Sequence, residues 1–450
     1  MTWRAFLRSK MVFSGPAGGS RRWFTIATIS CDLGPRRRVS AEADEYRTPC
    51  PAGQPRRLEP RPDATLDSVR SNGADRRNST YMKVICDQAA LSDALGVVGG
   101  VVARRTPTPV LTCVRLTAQD GQLAMAATDT EASLRLVLDK VEVEKDGELL
   151  IPANKLLQII RACDSATITL NGKGHHVQIV SEGSNFKLNG YDPAEAPEIP
   201  EFNPDDVDCT VEGGTLVPLV ARSLFAAADE HSRYAINGVL FDRTEKKLRF
   251  VATDGRRLAV AAGDCEQGEG DRRCIVPSKA LSLVRQLVRS ADTTVSISVN
   301  DHHVTFHVDE ATGPSTLTTT LVEGKFPPFE DVIPKDQDKR CTIDREVLRS
   351  AIVRAALLTS EESRSVCMKF ENEQLTLSSH EPEMGEAVIQ LPLNDWEGDE
   401  LEINFNPNLL GDALKVIDTD QVLLEFKSSN KPGVLRTGRD FTYVLVPLNL

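Results

Sequence analysis

Three short stretches of this chain place apolar residues at i, i+3, i+4 and i+7, the stripe of a helix that buries one face. They are Leu156, Ile159, Ile160 and Cys163; Leu348, Ala351, Ile352 and Ala355; and Leu410, Ala413, Leu414 and Ile417. Other stretches alternate apolar and polar residues with a period of two, as in "ATITL", "VSISV" and "VLLEF", which predicts half-buried strands. Short helices laid against antiparallel sheets make an α+β layer arrangement.

The pattern repeats. "GELLIPANKLLQIIRACDSATITLNGKGHHVQIV" from Gly147 and "DRRCIVPSKALSLVRQLVRSADTTVSISVNDHHVTFHV" from Asp271 share one order of strand, proline, helix, strand, turn, strand. Pro152 and Pro277 are 125 residues apart, as are the Ala-Thr-Asp corners at Thr128 and Thr253. The pairs His175/His176 and His302/His303 are 127 apart. "ELEINFNPNLLGDALKVIDTDQVLLEFKSSN" from Glu400 is a third, more divergent copy. The complementary half-unit, a strand followed by an amphipathic helix, starts at Met82, Cys209 and Cys341. Three tandem domains of two strand–helix–strands units each are therefore predicted. Pro- and acid-rich linkers bound them at 82–204, 205–335 and 336–450.

Charge sets the first 81 residues apart: they carry 15 Lys and Arg against 8 Asp and Glu, a net of +7, which leaves −19 for the remainder. They are rich in Arg, Pro, Gly and Ser and have no sustained period, so residues 1–81 read as a disordered N-terminal extension. Their Arg-rich opening mimics an organelle transit peptide, but the preferred reading makes Met82 the working start. No run of 18 apolar residues occurs, so no membrane span is expected. Ten scattered cysteines without a Cys-x-x-Cys pair suggest buried thiols in a reducing cytoplasm.

Against the −19 background, three helical windows are basic. Residues 153–163 hold Lys155 and Arg161; 278–290 hold Lys279, Arg285 and Arg289; 345–356 hold Arg345, Arg349 and Arg354 against Glu346. Equivalent helices biased alike would line a surface that attracts a polyanion through its phosphates, without reading sequence. Enzyme motifs are missing: there is no phosphate-binding Gly-x-x-x-x-Gly-Lys-Ser/Thr loop, Gly-x-Ser-x-Gly elbow or His-Glu-x-x-His pair. His302, His303 and His307 are close enough in sequence to suggest a metal, but the repeated His pair favours an inherited hairpin. No catalysis, metal or cofactor is expected.

The phrases "YAINGVLF" (234–241), "VATDGRRLAV" (251–260), "EGKFPPFEDVIPK" (323–335) and "YVLVPLNL" (443–450) resemble, in order and spacing, the bacterial replicative sliding clamps, the β subunits of DNA polymerase III. The likeness covers 82–450. It implies a DNA-clamp fold in which two three-domain chains close head to tail into a homodimeric ring around duplex DNA. Helices would line the hole. Such a ring is a cytoplasmic processivity factor for the polymerase III catalytic subunit. It is opened by a separate clamp loader and shared with other polymerases and repair proteins.

By the same resemblance, Arg105, Arg233 and Tyr234 fall where the family touches DNA, and helix position adds Lys155, Arg161, Lys279, Arg285 and Arg349. A hydrophobic groove for partner peptides would comprise Ile236, Thr253, Gly255, Arg257, Leu258, Pro327, Val332, Val444, Val446, Pro447 and Leu448. Arg256 and Asn449 depart from residues common in the family. The ring joint would set Phe186 and Leu188 against Leu357 and Leu358 of the other copy, with Glu383 and Glu386 nearby. The basic partners usual there are replaced by Gly183 and Asn185. A noncatalytic peptide-binding scaffold that never encircles DNA is the rival reading.

Overall fold

The computed structural model describes residues 81–103, 105–228, 236–266, 270–359, 364–371 and 373–448. The expected disordered extension lies outside the described residues except for Tyr81, which opens the first strand, Tyr81–Asp87. Arg233 and Tyr234 also lie outside them.

Six α-helices are described: α1 (Gln88–Val98), α2 (Ala153–Arg161), α3 (Gly213–Leu224), α4 (Ser278–Leu287), α5 (Arg345–Ala355) and α6 (Pro407–Val416). Each domain contributes two, and the starts follow the local sequence. Asp87 and Asp344 cap α1 and α5 by accepting the backbone N–H of Ala90 and Val347, both at 2.8 Å. Pro152 and Pro277 stand at the N-caps of α2 and α4; their missing N–H and fixed φ suit a strand-to-helix corner. Two stripes overrun their helices: α2 ends at Arg161 and α6 at Val416, so Cys163 and Ile417 continue the apolar face from outside the helix. Both remain buried.

The strands form four antiparallel sheets, of five, eight, eight and four strands. Each eight-stranded sheet belongs to two domains. Strand Gly313–Thr320 of the second domain pairs with Ala132–Leu138 of the first. Strand Phe441–Leu445 of the third pairs with Arg257–Asp264 of the second. Helices follow the same continuity: α1 packs on α2, α3 on α4 and α5 on α6 within domains, while α1 meets α4 and α3 meets α6 across the joints. The result is one row, α2–α1–α4–α3–α6–α5, backed by sheets.

Most buried side chains lie between the helices and the sheets, with Leu91, Leu156, Leu216, Leu281 and Leu348 fully buried on their helices. A second, separate cluster lies on the opposite face of the sheet that joins the second and third domains. Among the described residues eight cysteines are free, seven of them buried. Burial pushes the thiols of Cys86, Cys209, Cys274 and Cys341 up to about 12, so they stay protonated and unreactive at neutral pH. With Cys31 and Cys50 replaced by serine, the native protein at pH 8 should leave a thiol reagent such as DTNB almost unconsumed, and denaturant should release all eight. Rapid native reaction of several thiols would contradict this packing.

Candidate functional site

The two Ala-Thr-Asp corners are built alike, bond by bond. At Thr253 the hydroxyl donates to the carbonyl of Arg257 (2.6 Å) and accepts the N–H of Gly255 (3.1 Å). Asp254 Oδ1 accepts the N–H groups of Arg256 and Arg257. At Thr128 the hydroxyl donates to the carbonyl of Ala132 (2.9 Å) and accepts the N–H of Thr130 (3.0 Å), while Asp129 Oδ1 accepts from Glu131 and Ala132. Gly255 has φ of 87° and Thr130 has φ of 82°, a left-handed turn that glycine adopts freely and a β-branched residue resists. Each corner also accepts a strand from the next domain, through Val446 N–H to Arg256 O (2.9 Å) and Thr320 N–H to Glu131 O (2.8 Å).

At the joint between the second and third domains, this corner borders the separate apolar cluster. Leu240, Val251, Leu258, Ile275, Val434 and Val444 form its floor on the sheet, and Phe329 of the linker lies against them. Arg249 and Arg273 stand over the Phe329 ring at 5.4 and 5.7 Å and flank Glu330. Of the residues expected in a groove, Leu258 and Val444 are buried in this cluster and Val332 packs on it half-buried. Val446 and Leu448 are half-buried and Pro447 is buried; Leu448 N–H is anchored to Asn404 O at 2.8 Å. Ile236 and Pro327 are half-buried, and Thr253 is buried at the corner. Leu240, Val251 and Ile275 were missed in the sequence reading. Their strands carry apolar residues on both faces instead of alternating, and that double-sided pattern was the available signal.

Arg257 sits differently. Its register partner is Leu445, on the helix-facing side of the sheet, whereas Leu258 pairs with Val444 on the cluster side. Its guanidinium bonds Asp254 and Asp412 of α6, both at 3.1 Å, and lies 5.2 Å from the Phe225 ring at the end of α3. With only 11% of its side chain exposed, Arg257 fastens the second domain to the third behind the apolar cluster.

The helix row displays cations unevenly. Arg105, Lys155, Arg161 and Arg285 are exposed. Lys279 instead reaches across the first joint to Asp129 (2.5 Å) and the carbonyl of Val101 (3.2 Å). Arg349 hydrogen-bonds Glu346 of its own helix through Nε and Nη2. On the strands, His307 stacks on Phe202 with centroids 4.0 Å apart and bonds Thr316. Among the described residues no group of three His, Cys, Asp or Glu is placed to hold a metal.

Comparison with known proteins matches residues 82–200, 210–328 and 330–449 to the N-terminal, central and C-terminal domains of the DNA polymerase III beta subunit. The chain belongs to the β sliding clamp family. It is 34% identical over 373 residues to the beta sliding clamp of Pseudomonas putida, covering 82% of this chain and all of that one. Identity to the Escherichia coli protein is 28% over 372 residues, with the same coverage. A Pseudomonas aeruginosa clamp structure aligns with a TM-score of 0.75 at 32% identity, over 82% of this chain and all of that one. A Bacillus subtilis clamp shares the fold at 0.76 and 24% identity, with equal coverage. As a member, the chain is a non-catalytic processivity factor of DNA replication.

Two of the sheet-edge strands lie in the first and third domains. Ser184–Asn189 pairs only with His176–Ser181, and Gly385–Pro392 only with Gln374–Glu381. Phe186 and Leu188 are half-buried on the first edge. Near the second, Leu357 is 74% exposed, Leu358 is half-buried, and Met384 and Val388 are 77% and 58% exposed. Met384 and Val388 were not singled out from sequence: Met384 stands alone among polar neighbours, and Val388 sits inside the apolar run Ala387–Ile389, which reads as ordinary strand. Glu383 and Glu386 are exposed beside them.

Arg257→Ala should cost about 3 kcal/mol by denaturant unfolding, since it strands two partly buried carboxylates. Asp412→Asn should cost less, and the double variant less than the sum. A loss below about 0.5 kcal/mol for Arg257→Ala would show that the joint does not depend on this guanidinium.

Proposed function

We propose that two copies close head to tail into a ring that encircles duplex DNA, and that the apolar cluster beside Gly255 receives short apolar peptides of polymerases and repair proteins. One observation carries this reading: a continuous row of helices is backed by sheets that run across both joints, with an edge strand of the first domain, Ser184–Asn189, and one of the third, Gly385–Pro392, each paired on one side. Unpaired edges invite pairing, and two different edges make a heterologous contact that closes when the rotation permits. The exposed Leu357, Met384 and Val388 supply apolar surface for that contact.

Encirclement explains why few cations stay free. A closed ring is retained by topology, so phosphate contacts by Arg105, Lys155, Arg161 and Arg285 can be weak. Arg349 and Lys279 are already paired with carboxylates, so each would meet a phosphate only by exchanging Glu346 or Asp129 for it. Arg233 and Tyr234 complete the expected set from outside the described residues. Tethering raises the polymerase's effective concentration at the primer end without any chemistry by the ring. The sequence has no nucleotide-binding loop, so opening falls to a separate loader, and the assembly works in the cytoplasm without a cofactor.

Clamped onto nicked circular duplex, the protein should stay bound through gel filtration at high salt and be lost once the circle is linearised. Equal retention on both forms would favour the scaffold reading. Leu357→Asp with Val388→Asp should give monomers by native mass and abolish retention. Before closure, Arg105→Ala with Arg285→Ala should flatten the salt dependence of DNA binding by roughly two counterions in log–log slope. A Gln-Leu-Leu-Phe tetrapeptide should bind the wild type and fail with Leu258→Ser.

A further inference from the structure

The joint between the first and second domains repeats the architecture of the groove joint but not its filling. On the groove side, one rung of the sheet is Ile275–Leu240–Val251–Val260. In the same register, the other joint has Leu150–Arg115–Ala126–Arg135. The linkers enter through one equivalent bond, Val322 N–H to Ile275 O (2.9 Å) and Tyr191 N–H to Leu150 O (2.8 Å). Seven residues past that bond, the groove joint has the buried Phe329; the other has Glu198, which is exposed. Valine has become alanine and the aromatic plug is gone. A cavity of about 240 Å³ remains, lined by the apolar Ala126, Leu150, Pro197 and Ile199 and by Arg115 and Arg135, which alternate with Leu150 and Ala126 along the rung.

Its polar groups are incompletely engaged. Arg115 Nη2 bonds Glu148 at 2.9 Å, but its Nε is buried with no hydrogen-bond partner. Arg135 has Glu201 at 3.7 Å, and that carboxylate is 87% exposed on the linker, a weak pairing that water readily replaces. A buried donor without a partner costs free energy that an incoming acceptor recovers. A carboxylate suits both guanidiniums, and the aliphatic wall beside them suits one apolar side chain.

We propose that this cavity is a second peptide site, specific for an extended segment that carries a carboxylate next to an apolar residue. The bound carboxylate takes the Arg115 Nε–H and displaces Glu201 from Arg135, while the apolar side chain fills the space that Val251 and Phe329 occupy at the other joint. That the ligand is a peptide rests on reading the equivalent joint as a peptide groove; the cavity and its donors do not.

The test titrates the full chain with N-acetyl-Leu-Asp-amide, followed by saturation-transfer NMR, against the neutral N-acetyl-Leu-Asn-amide. Expected is saturable millimolar binding of the acid, on the order of tenfold weaker binding of the neutral probe, and loss of binding in Arg115→Leu/Arg135→Val, which installs the groove joint's residues. Ala126→Val, which fills the cavity without touching charge, should weaken binding as well, and it guards against misfolding of the double variant. Leu258→Ser should leave the acid probe bound while abolishing Gln-Leu-Leu-Phe binding. Absence of saturable binding, equal affinity for both probes, or binding lost in Leu258→Ser and retained in Arg115→Leu/Arg135→Val would overturn the proposal. None of these outcomes bears on retention on circular DNA, so the clamp reading stands or falls separately.

Discussion

Strand pairing across domain boundaries is the constraint on which the rest depends. Ala132–Leu138 and Arg257–Asp264 each end their own domain's strands with an open ladder, and each is completed by a strand from the following domain. Backbone hydrogen bonds satisfy groups that would otherwise need water or another chain. They also fix the register, and hence the face on which every side chain falls. The helix row, the corner turns and the apolar cluster inherit their positions from that register. Ion pairs such as Lys279–Asp129 and Arg257–Asp412 secure joints that the ladders have already set.

Much of this was legible in sequence because duplication wrote it several times. Helical stripes, the paired prolines and the corners at Thr128 and Thr253 declared the unit, and the chemistry of the unit is local: caps, turns and alternation. What stayed hidden depends on pairs distant in sequence. The family resemblance put Arg257 among the groove residues, yet its strand register turns it toward Asp412, 155 residues away. Lys279 reads as a free helix cation until Asp129 of another domain is placed beside it. The cluster residues Leu240, Val251 and Ile275 escaped notice because a strand with two apolar faces looks like ordinary core. Arg233 and Tyr234, and nearly all of the extension, lie outside the described residues.

The two joints show how a duplicated frame diverges. Hydrogen bonds of the corner and the linker's entry bond are retained, while the rung above them changes from four aliphatic residues to two arginines, an alanine and a leucine. Backbone bonding tolerates little change, because an unmade bond in a buried ladder is costly. Side chains on the face away from the helix core are freer, since linker and solvent share that face. A repeated scaffold can thus keep its geometry and alter its lining at each copy.

The same ladders impose an order on synthesis. Strand Arg257–Asp264 leaves the ribosome long before its neighbour Phe441–Leu445 exists. At roughly 5–20 residues per second, its edge waits on the order of ten to forty seconds for a partner. During that interval the nascent second domain carries an exposed apolar floor and an unpaired strand, the combination that recruits chaperones or a neighbouring nascent chain. Translation speed through the third domain therefore becomes a determinant of yield.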